Sequence, residues 1–557
     1  MTGAEAIVAV LEDAGVEVVF GLCGDTSLPF YDALARSDVI EHVLTRDERS
    51  ASYMADAYAR LSGRVGICEG PSGGGATYIV PGVAEANGSS VPVVCLTSDV
   101  GVEDRGKGTL TEMDQRALFA SLTRAAFDPG SADRMAEDVR DAFTVATGGS
   151  LGACHVSLPL DLQSASAGTR PVATSDRYPR ERPEPDPEAI TQAAKVLCES
   201  RRPVIVAGAG VLRSGAWDSI TRLAETLGAA VATSICGKGA IPETHPLSLG
   251  VIGSNGGLSW RHDLVRDADV VFYVGGGTGS VTTEKWSLPP AGSATVLQLD
   301  TDHDRLGRNH DLAAGLLGDA RVGLDSLIEA VNREGGGGAG SRFDPEAIRA
   351  GKARHRGRTE ELFASPEVPI RPERLMSELF DALPPRSVVL ADPGTPCPYV
   401  SAYWELPEAG RWFVSPRAFG ALGYALPAVV GAWYARPDAG QIVGVMGDGS
   451  FGISVGELET LVRLQVPAVL IVCNNAGYGW IKAGQKSRGD RYHAVDFGRS
   501  DHAAIARAYG MEAVRVEDPA ELEGALRAAI GHAGPCLVDV VTQPLEEARA
   551  PVSKWIA

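Results

Sequence analysis

The 557-residue chain contains no run of about 18 apolar residues, the length a helix needs to cross a bilayer, so no membrane span is expected. Its opening segment, MTGAEAIVAVLEDAGVEVVFG, has no basic leader and no small-residue cleavage site. It reads as an amphipathic helix and then a strand, and a cytoplasmic protein is the expectation. Positive charge is scarce. A formal net charge of −20 argues against nucleic acid or an anionic membrane as partner, since both call for a basic face. No CxxC pair occurs, and no short-period repeat. The nine cysteines are scattered, mostly within apolar strand-like runs, the pattern of buried reduced thiols.

What is present points to a multidomain α/β protein. Apolar content of 44% and charged content of 22% are ordinary for a globular chain. At about 100–200 residues per domain, three domains are expected. Residues 1–165 alternate short β-branched runs (EVVFGLCG, RVGICEG, VPVVCLTS, ACHVSLPLD) with helical stretches such as RSASYMADAYARLSG. That alternation predicts a parallel sheet with helices on both faces. A Pro- and Arg-rich segment at 166–189 reads as a linker. A second α/β unit follows at 188–334, and GGGGAGS at 335–341 is a second linker. A third unit spans 366–545, and 546–557 form a tail. The fold class is thus three doubly wound parallel-sheet units, in which ligands bind at the carboxyl ends of the strands.

The richest stretch is QIVGVMGDGSFGISVGELETLVRLQVPAVLIVCNNAGYGW. QIVGVM is a buried strand with Asp448 just past its end. SVGELETLVRLQ has helical apolar spacing, and PAVLIVCNN is the next strand, ending in Asn474 and Asn475. Adjacent parallel strands joined by a right-handed crossover bring Asp448 and Asn475 together. A carboxylate, an amide oxygen and a backbone carbonyl form an all-oxygen set suited to Mg²⁺, which takes few protein ligands and completes its octahedron with phosphate and water. The glycines admit a diphosphate, and the following helix offers it free N–H groups. Gly-Asp-Gly alone is a common turn; the whole strand–helix–strand context makes it specific.

This pattern resembles the signature of thiamine-diphosphate-dependent enzymes, and the whole chain resembles the superfamily of acetohydroxyacid synthase and pyruvate oxidase. The resemblance implies a pyrimidine-binding domain, a Rossmann-like middle domain and a diphosphate-binding domain, in that order, with thiamine diphosphate and Mg²⁺ as cofactors. It makes Asp448, Asn475 and the Gly477 carbonyl the metal ligands, and puts Gly449, Ser450, Asn475 and Tyr478 at the cofactor. Glu48, in HVLTRDERSASYMADAYARLSG, falls on the catalytic acidic position, where it hydrogen-bonds N1′ of the aminopyrimidine. Leu422, in SPRAFGALGYALP, aligns with the wedge that bends the cofactor, and Gly420 binds the pyrimidine edge. Asp392, Gly394 and Thr395, in LADPGTPCPYV, match a loop approaching the diphosphate. In this superfamily the glutamate and the metal site meet across a subunit interface, which implies a homodimer or homotetramer.

Substrate identity departs from the best-known relatives. The Phe-Gln-Glu run of acetohydroxyacid synthases reads Leu110-Thr111-Glu112, the position of their pocket tryptophan reads Gly484, and SGPGATN is replaced by EGPSGGGATY. The Phe-Asp-Asp-Arg run of flavin-binding relatives is missing, so FAD is not expected. Candidates for the substrate pocket are Thr111, Glu112, Gln115, Tyr78, Tyr478, Trp480 and His493. The expected activity is C–C bond cleavage or formation on a small-molecule substrate: decarboxylation of a small 2-oxo acid, releasing an aldehyde or joining it to an acceptor carbonyl. Two alternatives stand beside it, a 2-hydroxyacyl-CoA lyase or oxalyl-CoA decarboxylase-like enzyme, and a non-catalytic regulatory paralogue.

Overall fold

The computed structural model describes residues 1–168, 174–336, 343–489, 491–548 and 550–553. Within them are three six-stranded sheets, every paired strand parallel to its neighbour. The first runs, across the sheet, Glu41–Leu44, Val18–Gly21, Gly66–Gly70, Val93–Asp99, Ala153–Pro159, Ala125–Phe127. The second runs Leu312–Leu317, Thr295–Asp300, Val270–Val274, Pro203–Ala207, Ala230–Thr233, Ser248–Val251. The third runs Phe413–Val414, Val388–Ala391, Ile442–Gly447, Ala468–Asn474, Cys536–Val541, Glu512–Val516. Central strands such as Val93–Asp99 and Ala468–Asn474 are buried at every residue, as strands covered on both faces must be. Most of the glycine-rich linker at 335–341 lies outside the described residues, as does part of the tail. Pro551 to Ser553 of the tail hydrogen-bond to Ser254 and Gly256 of the middle unit.

A helix pair is central to the seam between the first and third units, beside bonds such as Arg46 N to Glu457 and the 417–420 N–H groups to Glu85. Helix Glu48–Ser62 starts behind Asp47, whose carboxylate accepts from Arg49 N at 2.8 Å, and stops at Gly63, with φ 77°. Its sequence is rich in Ala and Ser, and almost every residue is buried. It has covered surface on two sides: its own sheet, and helix Ala425–Ala435 of the third unit. Small residues are what make the second contact possible. A Cβ at Gly431 would sit 2.1 Å from Met54 O. The same seam carries buried charge. Tyr424 Oη donates to Asp56 at 2.6 Å, Asp56 pairs with Arg60 at 2.8 Å, and Arg60 reaches Glu85 at 3.2 Å. Among the described residues no helix is long and apolar enough to cross a membrane. None of the nine cysteines forms a disulfide among the described residues, and six of them are buried.

Candidate active site

The third sheet gathers one group of residues at the carboxyl ends of its central strands. Ile442–Gly447 and Ala468–Asn474 pair in register, ending with Gly447 opposite Cys473. Asp448 and Asn475 therefore leave the sheet side by side. Asp448 Oδ2 accepts from the N–H of Asn475 at 3.0 Å and of Ala476 at 2.6 Å, and Oδ1 accepts from Gly449 N at 2.8 Å. Burial pushes Asp448 up to about 6, partly offset by those backbone donors. The two asparagines differ. Asn474 spends its amide on Ser500 O and Asp539, at 3.0 and 2.9 Å. Asn475 Oδ1 is buried with no hydrogen-bond partner among the described residues. A buried amide oxygen beside a buried carboxylate, in a loop reversed by Ala476 at φ 58°, suits a hard cation. Gly477 is bridged to Asp496 through Tyr478 N on Val495 O and Phe497 N on Ala476 O, and its own carbonyl accepts from Gly479 N at 2.9 Å.

Glycines leave room around this pair. A Cβ at Gly449 would lie 2.6 Å from the Tyr478 ring, and one at Gly479 would lie 3.0 Å from Asn475 Nδ2 and 3.2 Å from Thr395 Oγ1. Thr395, Asn475 and Tyr478 thus converge on one short loop. Gly394, at φ 94°, faces the base of Trp480, which packs partly buried on the core. Ser450 abuts Gly423, the glycine after Leu422. Asp392 is fully buried and holds the N–H groups of Tyr424 and Ala425 at 2.9 and 3.2 Å; burial pushes it up to about 7. Leu422 itself is only half-buried, in contrast to the fully packed Tyr424–Val430 that follow. An apolar side chain left partly open beside a polar loop is what a wedge against a ligand requires. The site residues named from the diphosphate-binding segment are therefore neighbours in space.

The first unit holds a second group. Glu48 begins its helix and is 7% exposed; burial raises its proton affinity, with Asp47 and Glu69 adding to the effect. Its side chain lies against the loop after strand Gly66–Gly70, where a Cβ at Gly75 would meet Glu48 Oε1 at 3.1 Å. In the same loop a Cβ at Gly73 would meet Thr111 at 2.7 Å, so Glu48 and Thr111 both lie against this glycine loop. Ser72 Oγ and Thr111 Oγ1 are 2.6 Å apart, and Thr26 Oγ1 is 3.1 Å from Ser72.

Other expected pocket residues sit differently. Gln115 is 2% exposed and spends its amide on Ser98 O, Thr97 and Ser157 inside the core. Glu112 caps its own loop through the N–H groups of Gly106 and Thr109. Tyr78 is exposed, and His493 is exposed and tied to Gln485.

Two groups escaped the sequence reading. Glu69 is buried and fastened by Tyr31 and His42, and it lies near Glu48. Glu85, also buried, accepts from the N–H groups of Arg417, Ala418, Phe419 and Gly420 and so fixes the approach to Leu422. A carboxylate directly ending a strand (Glu69) was the available signal for the first. Nothing local marks the second for this role, since the backbone N–H groups it holds lie more than 330 residues away.

Comparison with known families decides what this geometry belongs to. Residues 1–118 match the thiamine pyrophosphate enzyme N-terminal TPP binding domain, 190–327 the central domain and 392–540 the C-terminal TPP binding domain. The chain is a thiamine pyrophosphate enzyme. A probable acetolactate synthase large subunit of Methanocaldococcus jannaschii is 33% identical over 98% of this chain and 93% of its own length. Another of that description, from Methanococcus aeolicus, is 32% identical over 98% and 92%. A probable 2-ketoarginine decarboxylase of Pseudomonas aeruginosa is 32% identical over 97% and 94%. This thiamine pyrophosphate enzyme is accordingly of the acetolactate synthase-like group, with the carboligase or decarboxylase class of activity. Thiamine diphosphate, the same compound as thiamine pyrophosphate, is its cofactor.

Proposed function

We infer that the enzyme decarboxylates a small polar or anionic 2-oxo acid and either releases the aldehyde or joins it to a second carbonyl, using Mg²⁺ to hold the cofactor. The observation that carries the cation is the buried Asn475 oxygen, without a hydrogen-bond partner among the described residues, beside the Asp448 carboxylate. Asp448, Asn475 and the Gly477 carbonyl would hold Mg²⁺; Gly449 and Ser450 would admit the diphosphate; Leu422 and Gly420 would hold the ring end. Thiamine diphosphate, when bound, supplies the carbon nucleophile and electron sink for cleaving a bond next to a carbonyl.

The chain's own residues do the rest. Glu48, in a desolvated site with raised proton affinity, can share a proton with a weakly basic ring nitrogen, and the glycine loop lets that ring approach it closely. Thr26, Ser72 and Thr111 form a hydroxyl wall beside it that can orient a polar substrate. The 2-ketoarginine decarboxylase among the relatives is named for a 2-oxo acid.

A second copy completes the site in this reading. Glu48 contacts its own unit's loop, whereas every described partner of Asp448 belongs to the third unit. Tyr78, Leu110, Phe419 and Tyr478, all near one half or the other, expose large apolar surface. The test is to incubate the protein, loaded with thiamine diphosphate and Mg²⁺, with a panel of 2-oxo acids and 2-hydroxyacyl-CoA thioesters while following CO₂, aldehydes and acyloins. Turnover of 2-oxo acids is expected; turnover of thioesters alone would overturn the reading.

A further inference from the structure

A cavity of about 720 Å³ opens on the seam between the middle unit, helix Pro345–Phe363 and the third unit. It shares no lining residue with the cofactor loops. Its volume falls within the roughly 300–1,000 Å³ of small-molecule sites. Arg261, Arg349, Lys352, Arg356 and Arg386 line it with Asp381, Glu405 and Glu408; Arg349 also pairs with Glu346, Arg386 with Asp438 and Lys352 with Glu405, which leaves Arg261 and Arg356 as the lining guanidinium groups with no ion pair among the described residues. The basic helix contributes because it buries little of itself, only Ile348, Gly351 and Thr359. Gly351 is where it lies against the middle unit, since a Cβ there would come 2.5 Å from the Trp260 ring. Arg349 and Arg356 are left exposed at the rim.

Deeper in, the wall carries unspent donors. Arg261 is 7% exposed and donates to Val251 O at 3.1 Å and Ala402 O at 3.4 Å, which ties the middle unit to the third. Its Nε has no hydrogen-bond partner among the described residues, and neither do the buried Trp260 Nε1 and His355 Nε2. A buried polar atom left without a hydrogen-bond partner is destabilising. Flat rings adjoin these donors. His355 stacks on Tyr403 with ring planes 12° apart, and Trp260 and Phe363 flank the same space. Guanidinium groups recognise phosphate through paired N–H donors, and aromatic faces recognise a planar ring.

We propose that this cavity is a second ligand site, for a nucleotide-class anion whose phosphates meet Arg349 and Arg356 and whose ring enters among Trp260, Tyr403 and Phe363. The claim does not depend on which 2-oxo acid the enzyme uses. It is tested by calorimetry with ADP on holoenzyme already saturated with thiamine diphosphate and Mg²⁺, so that the diphosphate loops are filled. Saturable binding is expected, with inorganic diphosphate and adenosine each at least about tenfold weaker. The double variant Arg349→Glu/Arg356→Glu, altered only at exposed helix positions, is expected to lose about tenfold or more in ADP affinity and to keep its thiamine diphosphate affinity. Tyr403→Ala should weaken ADP and leave inorganic diphosphate unchanged. Absence of saturable ADP binding, competition by excess thiamine diphosphate, equal affinity for inorganic diphosphate, or undiminished binding in the double variant would each overturn it.

Discussion

Replacing Glu85 by Gln tests how the first unit holds the third unit's cofactor loop. The carboxylate is fully buried and accepts from Arg417 N at 2.9 Å, Ala418 N at 3.1 Å, Phe419 N at 2.8 Å and Gly420 N at 3.4 Å. It also meets Arg60 at 3.2 Å and Ser89 Oγ at 2.8 Å. Glutamine keeps the shape but offers one acceptor oxygen where there were two, and turns an NH₂ toward donors. Hydrogen bonds to a charged group contribute about 1.5–3 kcal/mol each, against about 0.5–1.5 for neutral ones. The four donors share two oxygens, so these terms do not add. Breaking a buried charge pair costs about 3–5 kcal/mol, and Arg60 keeps Asp56 as a second partner. The low end of that range, about 3 kcal/mol, is the expected loss. It should appear locally, as faster amide exchange at 417–420, and as weaker thiamine diphosphate binding, because Gly420 and Leu422 follow directly. Unchanged exchange at those amides in Glu85→Gln would refute the reasoning.

Glu48→Gln is expected to bind thiamine diphosphate and Mg²⁺ as the parent does while losing most turnover; undiminished turnover would remove Glu48 from its assigned role. Asp392 is pushed up to about 7 by burial, against about 3.9 when exposed, so the folded state holds its proton more tightly than the unfolded state. Stability from this group is therefore full below about pH 4 and falls as pH rises toward 7, by up to about 4 kcal/mol. Asp392→Asn should flatten that fall in denaturant titrations at pH 4 to 7, and a slope identical to the parent's would contradict it. Gly431→Ala gains about 1 kcal/mol of helix propensity but places a Cβ 2.1 Å from Met54 O, so overlap wins and a net loss of about 1–3 kcal/mol is expected by chemical denaturation. Parent-like or higher stability would mean that the two helices can separate freely.

Much of the fold was legible because its central strands are apolar throughout and end in distinctive loops. Val93–Asp99, Ile442–Gly447 and Ala468–Asn474 stand where the β-branched runs predicted them. Edge strands were harder. Leu312–Leu317 and Glu512–Val516 alternate buried and exposed positions, and Phe413–Val414 has only two residues. The helix expected over SVGELETLVRLQ begins earlier, at Asp448 on the strand end, and is interrupted by a tight turn at Val455–Glu457. Asp448 and Asn475 were readable as a pair because register in a parallel crossover is set by local geometry. Gln115 was misleading in kind: one polar side chain in sequence cannot reveal that Thr97, Ser98 and Ser157 satisfy it inside the core. Glu85 was invisible for the opposite reason, since its role exists only once two distant units meet.

The central claim is that Asp448 and Asn475 hold a magnesium diphosphate at the end of the third sheet. Calorimetric titration of thiamine diphosphate into the parent and Asp448→Ala, each with Mg²⁺ and with chelator, tests it most directly. The parent should retain the cofactor only with Mg²⁺, and Asp448→Ala should not retain it under either condition. Metal-dependent retention unchanged in Asp448→Ala would contradict the assignment.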